Sequence, residues 1–157
     1  MLLIRPAAPR DVPLLLTCFR ELAEYQRQPH AVVVKEETLT RDDFAVEPKF
    51  RGLIAEWDRQ VIGYALFFGF YSSWKGPGIF LEHLFVPEAF RGRGIGRALR
   101  CEDERIARRE GCYGIRWGSS GWNEPAIQFQ KSLGGEFFDD WRQVLLQADA
   151  LKRRAEG

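Results

Sequence analysis

Arg91-Gly92-Arg93-Gly94-Ile95-Gly96-Arg97 is the stretch on which the reading of the whole chain turns. It follows an apolar run, Ile79 to Val86, that reads as a strand closed by Pro87. It opens a run with helical character that continues to about Glu110. Glycines between a strand and a helix let the backbone approach a ligand closely. They also let successive N–H groups converge on one point, where the helix N-terminus adds partial positive charge. With Arg91, Arg93 and Arg97 around it, the loop suits a pyrophosphate. Register excludes two other phosphate loops. A dinucleotide-binding fingerprint needs glycine where Arg97 stands, and a P-loop needs Gly-Lys-Ser/Thr, which is absent. A glycine-rich helix cap with no ligand is the remaining alternative.

Working outward, Leu2-Leu3-Ile4-Arg5 reads as a first strand stopped at Pro6, and Pro9 to Arg27 as an amphipathic helix. Val12, Leu15, Leu16, Phe19, Leu22 and Ala23 are its apolar face. A second helix is predicted from about Lys35 to Val46. Strands follow at Gly52–Trp57 and Val61–Tyr71, joined by a tight turn at Asp58-Arg59-Gln60. Gly76-Pro77-Gly78 reads as a loop. Tyr113–Gly118 is predicted as a strand, Asn123–Leu133 as a helix stopped at Gly134-Gly135, and Phe137-Phe138 with Trp141–Leu146 as a closing hairpin. Lys152-Arg153-Arg154 reads as a frayed charged tail. The order β-α-α-β-β-β-α-β-α-β-β, without linker or repeat, describes one mixed α/β domain over residues 1–157.

Composition bounds the partners. Lys plus Arg total 23 and Asp plus Glu 22, so a net charge of +1 sets up no global field for nucleic acid or an anionic membrane. The longest apolar stretch, Tyr64 to Tyr71, is far short of the ~20 residues that span a bilayer. Cys18, Cys101 and Cys112 form no patterned set, and the N-terminus lacks signal-peptide character, so a soluble cytoplasmic protein is expected. His30, His83 and the cysteines have no metal-ligand spacing, so no metal is expected.

Arg91-x-x-Gly94-x-Gly96 resembles the Q/R-x-x-G-x-G/A acetyl-CoA signature of the GNAT superfamily, and the element order agrees over nearly the whole chain. Ile4-Arg5-Pro6-Ala7, Glu21-Leu22-Ala23-Glu24-Tyr25, Leu81-Glu82-His83-Leu84-Phe85-Val86 and Trp122-Asn123-Glu124-Pro125-Ala126-Ile127 are similar to segments of the diamine (spermidine/spermine) and thialysine acetyltransferases. The resemblance implies a mostly antiparallel sheet with a splayed central strand pair, helices on both faces, and acetyl-CoA as acetyl donor. It also implies a homodimer, with the hairpin around Trp141 close to the partner's site. The implied coenzyme contacts are the backbone around Leu84, Phe85 and Val86, the loop Arg91, Gly92, Arg93, Gly94, Ile95, Gly96 and Arg97, and Asn123, Pro125 and Ala126. Asn123 is independently a natural N-cap with Pro125 in the first turn.

Acetylating a primary amine requires its neutral form, whose pKa is near ~10, so a carboxylate must take a proton. Glu82 stands mid-strand among Leu81, Leu84 and Phe85, where the pattern also allows a plain solvent-facing residue. The resemblance makes it the general base. The family's next residue is acidic; here it is His83. The family's leaving-group tyrosine is replaced by Gln130, which cannot protonate a thiolate but can hydrogen-bond to one. A small cationic amine would want acidic and aromatic walls, and Tyr25, Trp74, Glu82, Trp122, Asp139, Asp140 and Trp141 are the candidates. Each aromatic has core packing as its alternative. Gln26, in place of the family's acidic residue, and a shorter loop before Trp141 leave a polyamine, a diamine and an amino-acid-like amine all open. Two further readings compete: a catalytically silent acetyl-CoA-binding sensor, and a protein or peptide N-acetyltransferase.

Overall fold

The computed structural model describes residues 1–140 and 142–155. The chain divides into two compact units, Met1–Gly118 and Ser119–Gly157. The first holds a five-stranded sheet in the order β1 (Leu2–Pro6), β2 (Arg51–Trp57), β3 (Gln60–Ser72), β4 (Gly76–Phe85), β5 (Ile115–Trp117). All neighbours are antiparallel except β4 and β5, which run parallel. Helix α1 (Val12–Tyr25) and the short α2 (Glu36–Asp43) precede β2, and α3 (Ile95–Arg109) connects β4 to β5. A parallel pair needs such a crossover. The second unit holds α4 (Glu124–Ser132) and α5 (Ala148–Ala155).

Strand alternation sorts side chains onto two faces. Leu53, Ala55, Ala65, Phe67, Ile79 and Leu81 pack with Ile95, Leu99, Ile106 and Ala107 of α3. Ile54, Tyr64, Leu66 and Phe85 pack with Val12, Leu15, Leu16, Phe19 and Leu22 of α1 and with Leu39 of α2. Helices therefore cover both faces, as expected for a sheet whose two sides are apolar. The β2–β3 turn carries positive φ at Asp58 and Arg59, the twist that a two-residue hairpin requires, without the usual glycine.

Three expectations need correction. Gly76-Pro77-Gly78 is the start of β4 rather than a loop, because it pairs with Phe70, Tyr71 and Ser72. Phe137-Phe138 and residues 142–146 form no hairpin; these residues lie outside any strand, and the apolar ones among them are exposed. The parallel β4–β5 pair consequently stands at the end of the described sheet, not at its centre. Lys152-Arg153-Arg154 lies within helix α5 instead of a frayed tail, with Asp149 in the first turn and three cations in the last, a favourable arrangement for the helix dipole. Expectations placed on Trp141 lie outside the described residues.

The α1 end of the sheet is held by charge. Arg5 donates two hydrogen bonds to Asp11, at 2.7 and 2.9 Å, and one to Glu56 at 2.9 Å. The Ala8 N–H donates to the same Asp11 carboxylate. The Arg5 hydrogen bonds hold the Asp11 carboxyl below its ordinary range, against the effect of burial.

Asp103 is the opposite case. The stripe Ile95, Leu99, Ile106 on α3 puts position 103 on the buried face, and Asp103 is 0% exposed. Neither of its oxygens has a hydrogen-bond partner among the described residues, and the same holds for Nε and Nη1 of buried Arg100. Arg100 instead stacks on Trp117, 4.0 Å from the ring centroid. Burial pushes the Asp103 carboxyl up to about 7, and the nearby Arg100 only partly opposes this. A raised carboxyl is charged in the unfolded chain before it is charged in the folded one, so stability falls as pH rises from the ordinary carboxylate range to about 7. Asp103→Asn should match the parent near pH ~4 and exceed it by about 2–4 kcal/mol near pH ~8. Urea denaturation across that range checks this, and an advantage independent of pH would exclude ionisation of Asp103 as its cause.

Candidate active site

Glu82 owes its exposed position to a β-bulge. Leu66 on β3 pairs with His83 and Phe67 with Leu81, leaving Glu82 as the extra residue. Ile79 and Leu81 before the bulge face α3. After it, Leu84 and Val86 face α3, while His83 and Phe85 face α1. One inserted residue thus shifts the phase of the strand and turns Glu82 out of both cores.

The partner strand ends at the same level. Pairing between β4 and β5 covers Ile79, Phe80 and Leu81 against Ile115, Arg116 and Trp117, and stops there. From Glu82 to Phe85, β4 has no β5 residue beside it, which is the parting expected from the resemblance. Before the bulge, Pro77 and Ile79 direct a carbonyl and an N–H to the β5 side, accepting from Tyr113 and donating to Gly114. Continuing that phase across the bulge carries the backbone of Leu84 and Val86 to the vacated side. Phe85 is buried, so only its backbone could meet a ligand.

Directly beyond β4, a 3₁₀ turn (Glu88–Phe90) leads into the glycine loop. Gly92 and Gly94 have φ of +73° and +76°, in the left-handed region that favours glycine. Gly94 caps α3, and its carbonyl accepts the first helical hydrogen bond, from Ala98 at 2.9 Å. The N–H groups of Ile95, Gly96 and Arg97 in the first turn have no intrahelical acceptor by construction. A Cβ on Gly96 would make ordinary contacts with Leu84 and Val86, at 3.6 and 3.9 Å. Ile95 is buried, so it too offers only backbone. Arg97 is exposed and free of side-chain partners among the described residues. Arg91 and Arg93 are folded back: Arg91 Nε donates to the Val86 carbonyl at 2.9 Å, and Arg93 Nη2 to the Ala89 carbonyl at 3.1 Å.

Behind Glu82, the Tyr64 hydroxyl lies 3.4 Å from Nδ1 of His83, and Phe19 stands edge-on to the imidazole. Burial lowers the His83 pKa, with Glu82 pulling the other way, and burial raises that of Tyr64. A neutral imidazole therefore backs the strand. This pair was missed in the sequence because its placement depends on the bulge, which alternation alone does not reveal.

The other candidates are scattered. Tyr25, 38% exposed, closes α1. Trp74, 84% exposed, is at the tip of the β3–β4 hairpin; six residues, about 20 Å, separate the start of β4 from Glu82. In the second unit the Asn123 side chain caps α4, accepting from the Ala126 N–H at 3.3 Å, with Pro125 in the first turn. Gln130 lies on α4, and its side-chain oxygen is buried without a hydrogen-bond partner among the described residues. Trp122, Asp139 and Asp140 are exposed. Among the described residues no three His, Cys, Asp or Glu side chains cluster as a metal site would require, and no helix is long and apolar enough to cross a membrane.

The profile of the Acetyltransferase (GNAT) family matches residues 15–134. Thialysine N-epsilon-acetyltransferase of Mus musculus is 31% identical, across 97% of this chain and 96% of its own. L-ornithine N5-acetyltransferase of Arabidopsis thaliana is 26% identical, across 95% and 86%. Among solved structures, the aminoglycoside N-acetyltransferase AAC(6')-Iy in complex with CoA superposes with a TM-score of 0.72 at 22% identity, covering 94% of each chain. The glycine loop, the crossover helix and the parted strands are thus the parts of a fold with known members, and the chain belongs to the GNAT family of acetyltransferases.

Proposed function

We propose that this acyltransferase moves an acetyl group from acetyl-CoA to a primary amine of a small cationic molecule, with Glu82 as the general base. The observation that carries the reading is the coincidence at one level of the sheet of the bulge at Glu82, the end of β5, and the vacated backbone edge of Leu84 and Val86. The resemblance to thialysine and ornithine acetyltransferases supports an amine with an amino-acid-like body. A diamine or polyamine fits the same cationic chemistry.

The residues fit the coenzyme. Two left-handed glycines and the open first turn of α3 offer N–H groups to a pyrophosphate, with Arg97 adding charge. Acetyl-CoA supplies an acyl group activated as a thioester. Glu82, directly or through water, takes one proton of the incoming ammonium, and the freed nitrogen lone pair attacks the thioester carbonyl. The carbon–sulfur bond breaks with its electrons leaving on the thiolate, and the second N–H proton of the adduct passes to solvent water. Backbone N–H groups of the parted β4 edge can donate to the developing oxyanion. Gln130, in place of an acidic hydroxyl, can donate a hydrogen bond to the thiolate but no proton. A free thiol titrates near ~8.5, so departure as thiolate carries a modest penalty. Soluble, cytoplasmic action as a homodimer belongs to the same proposal, supported by the resemblance and by exposed apolar residues such as Val144, at 93%.

Gln130 also favours a second reading, a coenzyme-binding sensor without turnover. CoA release measured over a panel of diamines, polyamines, lysine analogues and amino acids separates the two, since the sensor releases none.

Three outcomes are expected. Gly94→Val should abolish acetyl-CoA binding in calorimetry, because it combines a Cβ with φ of +76°, whereas Gly96→Ala should leave the fold intact. Unchanged affinity of the Gly94 variant would place the pyrophosphate elsewhere. Glu82→Gln should lower kcat/KM by about 10²–10⁴-fold, and Gln130→Ala by only about 2–10-fold. Gln130→Tyr should raise the rate if protonation of the thiolate limits it and leave it flat if amine attack does; parental activity in Glu82→Gln at neutral pH would mean another base. Light scattering at micromolar concentration should give twice the chain mass, and a monomeric mass would exclude the dimer.

A further inference from the structure

Arg91 does not reach outward from the glycine loop. Its Nε is spent on the Val86 carbonyl, at 2.9 Å, and its guanidinium carbon lies 4.7 Å from the centroid of the Tyr25 ring. A guanidinium over an aromatic face is attracted by the ring quadrupole, and Arg suits this better than Lys because its plane can stack while its edge donates. Three elements meet in this one side chain: the end of β4, the start of the loop, and the last residue of α1.

Tyr25 is held firmly enough to serve as a seat. The helix it terminates closes with two hydrogen bonds of the Schellman type, from the Gln28 N–H to the Ala23 carbonyl at 2.7 Å and from the Arg27 N–H to the Glu24 carbonyl at 2.9 Å. Arg27 takes the left-handed position that glycine normally fills, with φ of +61°. One turn back, Leu22 and Phe19 are buried against the sheet. The Tyr25 backbone is thus fixed on the sheet, and its ring on Arg91.

We propose that Tyr25 is a positioning residue for the coenzyme: its ring seats the Arg91 guanidinium against the Val86 carbonyl and so sets the shape of the loop whose N–H groups receive the pyrophosphate. The inference rests on the coenzyme reading above and moves Tyr25 from the wall of an amine pocket to the support of the coenzyme loop. Arg93, stacked on Phe90 at 5.6 Å and bonded to Ala89, braces the loop from within, while Arg97 is left to meet charge. Through α1, the helix that also packs on His83 beside Glu82, the coenzyme loop and the strand bearing the base share one support.

The experiment is isothermal titration of acetyl-CoA into the parent, Tyr25→Phe, Tyr25→Leu, Arg91→Lys and the Tyr25→Leu/Arg91→Lys double variant, with steady-state KM values for both substrates and melting temperatures. The expected result is a loss of acetyl-CoA affinity of about 3–10-fold in Tyr25→Leu, recovery in Tyr25→Phe, and an amine KM within about twofold of the parent. Because the ring and the guanidinium act as one contact, the double variant should lose no more than the worse single variant. Should Tyr25→Leu fail to fold, Arg91→Lys carries the test, since it keeps the charge and loses the stacked plane. A changed amine KM with parental acetyl-CoA affinity in both Tyr25→Leu and Arg91→Lys would overturn the proposal. Parent protein that binds no acetyl-CoA would overturn the coenzyme reading and this inference with it.

Discussion

Everything at the site depends on β4 having one residue more than its neighbour can pair with. An unbulged strand would keep Ile79, Leu81, His83 and Phe85 on one face. His83 would then enter the α3 core and Leu84 the α1 core. The extra residue at Glu82 reverses that assignment, so Leu84 and Val86 join the α3 core while Phe85 and His83 join the α1 side. Both cores stay filled, and the residue that belongs to neither is a carboxylate. A side chain that would be expensive to bury is turned outward at the level where β5 ends. The same shift turns the next backbone groups of β4 towards a side where no strand among the described residues pairs with them. Backbone N–H and C=O groups must find partners somewhere, so this edge is an unfilled hydrogen-bonding surface of the kind that an extended ligand can complete. Arg91 takes one of these groups, the Val86 carbonyl, and in doing so ties the edge to the loop.

The segment Ile4-Arg5-Pro6-Ala7, part of the family resemblance, serves this arrangement from a distance. Arg5 joins β1, the turn before α1 and β2 through Asp11 and Glu56, and the Ala8 N–H completes the Asp11 carboxylate. This fixes the first turn of α1 to the sheet, while the Schellman closure fixes the backbone geometry of its last turn. Asp11 is partnered and held below its ordinary range, so its contribution is present at neutral pH and is lost as pH falls through its folded pKa. Resemblance carried by such a segment reports on packing more than on chemistry.

What could be read from the sequence follows from how local each signal is. The glycine loop was legible because φ above zero, a preceding strand and a following helix are all written within a dozen residues. The apolar face of α1 was legible by period, and the same period applied to α3 would have pointed at Asp103, a carboxylate that composition alone discounts in a buried stripe. The bulge was not legible, since alternation through Leu81-Glu82-His83-Leu84 is ambiguous until the partner strand fixes its register. The C-terminal hairpin failed for a related reason. Phe137, Phe138, Val144, Leu145 and Leu146 have strand-like composition, but strand formation depends on a neighbouring edge, which composition does not supply. Gln130, marked in the sequence only as a departure from the family, proves to carry a buried oxygen with no partner among the described residues.

Helix α3 carries two opposed demands. Its first turn leaves N–H groups without intrahelical acceptors, and its middle buries Asp103 and Arg100 without hydrogen bonds to most of their polar atoms. Burying an unpaired ionised group is unfavourable enough that the group neutralises where it can, which is what the raised Asp103 carboxyl expresses. Near neutral pH the helix therefore stands close to the titration of its own core residue. The bidentate contact of Arg51 with Glu110 ties its C-terminal end to β2, and the stacking of Arg100 on Trp117 ties its middle to β5. The N-terminal half is held by Ile95 and Leu99 in the core. A ligand that binds the folded state alone adds stability in proportion to the logarithm of its concentration over Kd. On the coenzyme reading proposed above, an anion bound at the first turn would add to the stability of the fold that ionised Asp103 lowers, the two contributions adding in the folding free energy.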